Sequence, residues 1–219
     1  KTQAALLEAM QERQVTVEGR TFSLGRSFHV LATANPIEYE GTYPLPEAQL
    51  DRFLARVSFG YPSAQDETEV VMARMRRGME QVEISTIVSA QELVALQESV
   101  EQVTVDPGIA RYAVALATAT RNHPDTLIGS SPRGSLGLVL MGRAVAMMEG
   151  RDYVIPEDIK AVAPSVLAHR VAIRPELWMT AASGAAVVED VLGEVSTPPT
   201  VEPASVAPGD DVEHHRTGP

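Results

Sequence analysis

The chain has 219 residues, 44% of them hydrophobic, with a formal net charge of -11 and no cysteine. That length holds one good core, or part of one beside a small second domain. The composition excludes disulfides, thiolate metal sites and a cysteine nucleophile, and the acidic surplus argues against nucleic acid as a partner. No run approaches the ~18 apolar residues of a membrane span. The first residues, Lys1 followed by an amphipathic segment with Glu8 and Glu12, lack the basic-then-apolar order of a signal peptide, so a cytoplasmic location is expected.

Ala5, Leu6, Ala9 and Met10 at helical spacing predict a helix over 2–14. Val15–Val17 and Thr21–Leu24 alternate around Glu18 and Gly19, a hairpin pattern. Phe28, Val30, Leu31, Ala32 and Ala34 then form a nearly continuous apolar run, the signature of a strand buried on both faces of a parallel sheet, and it ends on Asn35. Gly41, Pro44 and Pro46 make 37–46 a loop; a short helix over 47–54, a last strand over 56–59 and a break at Gly60–Pro62 follow.

Beyond the break the pattern turns helical, which divides the chain into a core segment over 1–60, a helical domain over 63–192 and a disordered, acidic, proline-rich tail over 193–219. Capping residues set the helix starts: Ser63 with Asp66, Ser89 with Glu92, Asp106 before Pro107, Ser131 before Pro132, and Pro156 with Glu157 and Asp158. These helices should reach about Arg77, Gln102, Asn122, Glu149 and Arg170, with Pro164 a candidate kink, and a last helix is expected over 179–192.

Three residues stand out chemically. Asn35, just before Pro36, lies where an open α/β sheet exposes its ligands, and its amide can orient a phosphate or an attacking water; an Asn before Pro is also a common turn former. Arg52 alone would be an ordinary solvated helix residue, but Leu50 and Phe53 would anchor its short helix so that the guanidinium projects outward. Arg133 sits at a helix start, where positive charge opposes the macrodipole unless a phosphate is held there. By contrast His29, His123, His169, His214 and His215 lack ligand spacing. Arg74, Arg76 and Arg77 suit a helix C-terminal turn, and Met141, Met147 and Met148 suit a helix core.

The motifs TANP (Thr33–Pro36), GTYPLPEAQLDRF (Gly41–Phe53) and SSPRGSLGL (Ser130–Leu138) resemble the MoxR family of AAA+ ATPases. The resemblance implies an α/β fold, a partial AAA+ P-loop-type core represented by its last strands and helices, followed by an all-α helical lid. It implies Asn35 as the sensor-1 residue, Arg52 as an arginine finger completing a neighbour's site, and Arg133 as the sensor-2 residue that touches nucleotide. ATP and Mg2+ are the implied cofactors. A homo-oligomeric ring is the implied assembly, and chaperone-like remodelling of a client protein, one with a von Willebrand A domain, the implied output. Gly134 stands where a small alanine is expected.

A P-loop requires glycine amides and a lysine to cradle phosphates. Only Lys1 and Lys160 are present, neither after a glycine-rich loop, so Walker A is absent; a Walker B strand is absent too, Val187–Asp190 lying in a helical pattern. In the family the Walker B acids stand a few residues before a KTQxALLEAM helix, and here that helix begins at Lys1. The chain is therefore expected to be a fragment that alone does not bind ATP tightly, with the main metal ligands in the missing part. The competing readings are a related AAA+ motor such as a magnesium-chelatase ATPase subunit or a helicase-like ring, and a non-catalytic helical interaction module.

Overall fold

The computed structural model describes residues 9, 10, 12–33, 47–82 and 84–200. Ala9, Met10 and Glu12 are helical, as the helix expected over 2–14 requires, but Arg13 bends away and Gln14 already belongs to the first strand; residues 2–8 and 11 lie outside the described set. Strand β1 (Gln14–Val17) pairs antiparallel with β2 (Arg20–Ser23), Val17 opposite Arg20, across Glu18 and Gly19 at φ 50° and 77°. A two-residue turn with both φ positive matches the right-handed twist of the strands it joins.

Two expected strands are absent. Residues 28–33 and 56–59 are irregular, with Leu31 97% and Phe59 96% exposed. A strand buried on both faces needs hydrogen-bonded neighbours, and among the described residues only two two-stranded ribbons form, neither of which includes these segments. The short helix α1 (Glu47–Leu50) is followed by turns through residue 54, so it stops well short of the expected end.

The helices follow their caps. In α2 (Ala64–Arg77) the Ser63 hydroxyl accepts from Asp66 N at 3.2 Å, and Gly78, at φ 68°, closes the far end. In α3 (Ala90–Glu101) Ser89 and Glu92 cap each other's backbone amides at 2.7 and 3.2 Å. Asp106 caps α4 (Pro107–Asn122), its carboxylate accepting from Gly108 N at 2.6 Å. Strand β3 (Thr126–Ile128), α5 (Pro132–Met148) and α6 (Pro156–Leu167) come next. Pro164 sits inside α6 without ending it, and a 3₁₀ turn (Ala168–Arg170) extends it. Strand β4 (Ala172–Ile173) pairs antiparallel with β3, so the domain expected to be all-helical also carries a small ribbon. Ser183 caps α7 (Gly184–Glu194), which passes through Gly193, two residues into the stretch expected as tail. Residues 195–200 are irregular, and 201–219 lie outside the described set.

One apolar core joins α4, α5, α6 and α7, with Leu116, Leu138, Ile159, Val166, Leu167 and Val188 fully buried. Close packing of α5 on α6 depends on small residues: a Cβ at Gly142 would meet Ile159 Cδ1 at 2.8 Å, and one at Gly137 would meet Val166 Cγ1 at 3.0 Å. The buried Asp158 receives a bidentate ion pair from Arg151 at 2.6 and 2.8 Å and also accepts from Ile155 N at 2.9 Å, fixing the start of α6. Helices α2 and α3, by contrast, bury none of their residues.

Candidate functional site

Two short loops meet beside the helical core, one carrying Arg52 and the other leading into the helix start that carries Arg133. The first turns out of α1, with Arg52 N donating to Gln49 O at 3.2 Å and Phe53 N to Leu50 O at 3.1 Å. The second, residues 129–131, is pinned to the end of α4. Ser130 N donates to the buried Thr120 hydroxyl at 3.0 Å and Arg121 Nε donates to Ser130 O at 2.6 Å. Gly129 lies so close to α4 that a Cβ would fall 2.4 Å from Arg121 Cα. The loop hands over to α5 at Ser131, whose hydroxyl accepts from Arg133 N at 3.1 Å.

Asp51 binds the two loops together. The Ser131 hydroxyl lies 3.0 and 2.9 Å from its two carboxylate oxygens. Arg170 Nε is 3.2 Å from Asp51 Oδ1, and Arg133 Nε is 3.9 Å from Oδ2. The Arg170 side chain is only 2% exposed. Its two terminal nitrogens also donate to backbone carbonyls, Nη2 to Phe53 O at 2.7 Å and Asp51 O at 3.2 Å, and Nη1 to Val166 O and to Leu54 O at 3.4 Å. Burial lowers the pKa of Arg170, and attraction to Asp51 opposes that shift. A guanidinium nevertheless remains charged, so its desolvation is offset by the carboxylate and the ring of carbonyls.

His169 completes the junction. Its Nε2 lies 2.7 Å from Arg170 Nη1 and 3.1 Å from Phe53 O. Burial first, and the adjacent Arg170 charge second, hold its pKa below the usual histidine value, so the ring is neutral at physiological pH. Arg56 N donates to Ser165 O at 2.8 Å, a further tie from the same segment to α6.

Of the residues singled out from sequence, Asn35 lies outside the described set. The Arg52 guanidinium does not project outward as expected: the residue is half-buried, and its Nε and Nη1 are buried with no hydrogen-bond partner among the described residues. Arg133 stands in the first turn of α5 with its side chain 49% exposed and only the long contact to Asp51. Both segments thus meet at Asp51, and neither arginine is held in a close ion pair among the described residues. Gly134 has a local reason: a Cβ there would fall 1.9 Å from Ser130 Oγ and 2.9 Å from Leu167 Cδ2, so the serine hydroxyl occupies the space an alanine methyl would need.

The remaining candidates have bland surroundings. His29 contacts Ser27 O and Gln97, and His123 lies 3.5 Å from Asp190. His214 and His215 lie outside the described set. Arg74, Arg76 and Arg77 occupy the last turn of α2; Met141 and Met147 pack on the core while Met148 is exposed. Sequence reasoning missed Asp51 and Arg170. Asp51 was signalled only as the neighbour of Arg52, and Arg170 by nothing beyond a lone cation after an apolar helix. No group of three or more His, Cys, Asp or Glu residues able to hold a metal occurs among the described residues. The described donor set therefore does not fit a resident Mg2+. The half-exposed Arg133, a donor only, does fit phosphate oxygens, whereas the unpartnered Nε and Nη1 of Arg52 are buried.

Residues 1–55 match the family described as ATPase family associated with various cellular activities (AAA), and residues 118–191 match the AAA lid domain. The chain is 44% identical over 198 residues to the uncharacterized protein YeaC of Bacillus subtilis, covering 90% of this chain and 62% of that protein. It is 42% identical over 208 residues to the chaperone MoxR1 of Mycobacterium tuberculosis, covering 90% and 54%. A crystal structure of a protein from Cytophaga hutchinsonii, described provisionally as an ATPase, superposes with a TM-score of 0.82 at 37% identity, covering 90% of this chain and 62% of that one. The chain thus spans about six-tenths or less of the length of these relatives. With an AAA segment followed by an AAA lid and this level of identity to MoxR proteins, the chain belongs to the MoxR family of AAA+ ATPases.

Proposed function

We propose that this chain is the C-terminal part of an ATP-hydrolysing motor, with core residues over 1–60 and lid residues over 63–192, that couples nucleotide turnover to chaperone-like remodelling of a client protein. One observation carries the reading. Asp51, the sequence neighbour of Arg52, holds the Ser131 hydroxyl at 2.9 and 3.0 Å and lies 3.9 Å from the half-exposed Arg133, so the segments that carry the two arginines meet at one carboxylate. A chaperone among the relatives supports the output.

The roles follow from charge. In hydrolysis ATP supplies the γ-phosphoryl group, whose equatorial oxygens carry the developing negative charge. Arg52 would turn its fork of N–H donors out from the position in which Nε and Nη1 are buried, and place it against such oxygens in a neighbouring subunit of a ring. Arg133 would hold a phosphate at the start of α5, where the macrodipole favours an anion. Asn35 would orient the attacking water. The Mg2+ ligands and the phosphate cradle would belong to sequence outside this chain, so the 219 residues alone should bind ATP weakly. A cytoplasmic setting and a client with a von Willebrand A domain complete the proposal, with no role for nucleic acid.

The test is ATP turnover by the full-length protein. Arg52→Ala should fold normally and lose roughly 10³-fold or more in kcat. Arg133→Ala should raise KM for ATP or lower kcat. Wild-type turnover in both variants would overturn the reading.

A further inference from the structure

The cluster at Asp51 goes beyond what the motif arginines explain. Arg170 is 2% exposed, and apart from His169 and Val166 O its partners all come from residues 51–54, the loop that carries Arg52. A buried guanidinium anchored to three carbonyls, those of residues 51, 53 and 54, fixes the backbone on both sides of Arg52. Meanwhile the carboxylate it pairs with is shared with the lid, through the Ser131 hydroxyl and, at 3.9 Å, Arg133. Among the described residues Asp51 is therefore the carboxylate that pairs with both the lid's phosphate-directed arginine and the anchor of the finger loop.

Sharing has a consequence. Arg133 cannot offer its full charge to Asp51 and to a phosphate at once, because one guanidinium is divided between two anions. When a phosphate engages Arg133, Asp51 loses its weakest partner and keeps Arg170 and Ser131. A ligand shifts a structure only through such a difference in contacts. We propose that Arg170 is a positioning residue, and that Asp51 passes the state of the nucleotide from Arg133 to the Arg52 loop through its pair with Arg170. This rests on the functional reading above, in which Arg133 and Arg52 act on nucleotide.

The experiment uses the full-length protein with ATP and a non-hydrolysable ATP analogue. Coupling of this kind is worth about 5- to 150-fold. Arg170→Lys keeps the charge but loses the planar fork, and should lower kcat by roughly that factor with KM for ATP within about twofold, while thermal unfolding shows an intact lid. Asp51→Asn keeps the shape and removes the charge. It should lower kcat likewise, and adding Arg133→Ala to it should cost less than Arg133→Ala costs the wild type.

Amide exchange gives a readout independent of turnover. In the wild type the analogue should slow exchange over 51–56 as well as at the start of α5; in Asp51→Asn only the α5 response should persist. Should Arg170→Lys fail to fold, Asp51→Asn and the wild-type exchange decide the matter. Wild-type kcat in both variants, or a 51–56 segment blind to the analogue in the wild type, overturns the relay. If Arg52→Ala and Arg133→Ala lose turnover while Arg170→Lys and Asp51→Asn keep it, the relay alone fails; if all four keep it, the functional reading fails with it.

Discussion

The helical region from α4 to α7 and the region before it solve the burial problem differently. The former closes its own core: Leu116, Leu138 and Val166 are fully buried, and Arg151 meets Asp158 in a bidentate pair. The latter leaves Leu31, Phe59 and Tyr61 open, and helices α2 and α3 have no fully buried residue. The lesson is that helices take their stability from local caps plus one packed face, whereas a parallel-type strand exists only when its neighbours are present.

Core truncation should break that comparison most sharply. Leu116→Ala is expected to cost about 2–5 kcal/mol, whereas Leu31→Ala, at a position 97% exposed, should stay within about 0.5 kcal/mol. Urea melts followed by helical circular dichroism measure both, and equal losses would mean that the two regions share one core.

The glycines sharpen it further. Gly129→Ala must displace backbone, since the new Cβ would sit 2.4 Å from Arg121 Cα, and should destabilise by about 1–3 kcal/mol. Gly193→Ala, inside α7 with nothing within 4 Å of its Cβ, should instead stabilise by up to ~1 kcal/mol. Opposite signs in thermal melts are the expected outcome.

A smaller effect should appear at the junction. Burial and the adjacent Arg170 charge hold the folded pKa of His169 below the ordinary histidine value of about 6.5, so the unfolded chain takes up a proton before the folded one does. Its contribution to stability is then complete above about pH 6.5 and lost as pH falls toward the depressed folded value. Denaturation midpoints between pH 7.5 and 5.5 should fall less steeply in His169→Gln than in the wild type. Identical slopes would remove the burial account of this histidine.

The legibility of the chain divides along the same line. Ser63, Ser89, Asp106 and Ser131 announced their helices because a cap bonds to an amide two or three residues away, and the hairpin turned on two adjacent residues. The strand expected before Asn35 rested on apolar content alone, and content does not supply pairing partners. At the site, Arg52 and Arg133 could be picked out from their motifs, while Arg170 could not.

Local bonding and apolar spacing are written into the order of residues, and so most helix starts and the family were legible in the sequence. The meeting of Arg170 with the carbonyls of a loop up to 119 residues earlier was not, nor was the crowding that excludes a side chain at Gly129. A buried cation chooses its partners by distance through space, and only the packed chain sets those distances.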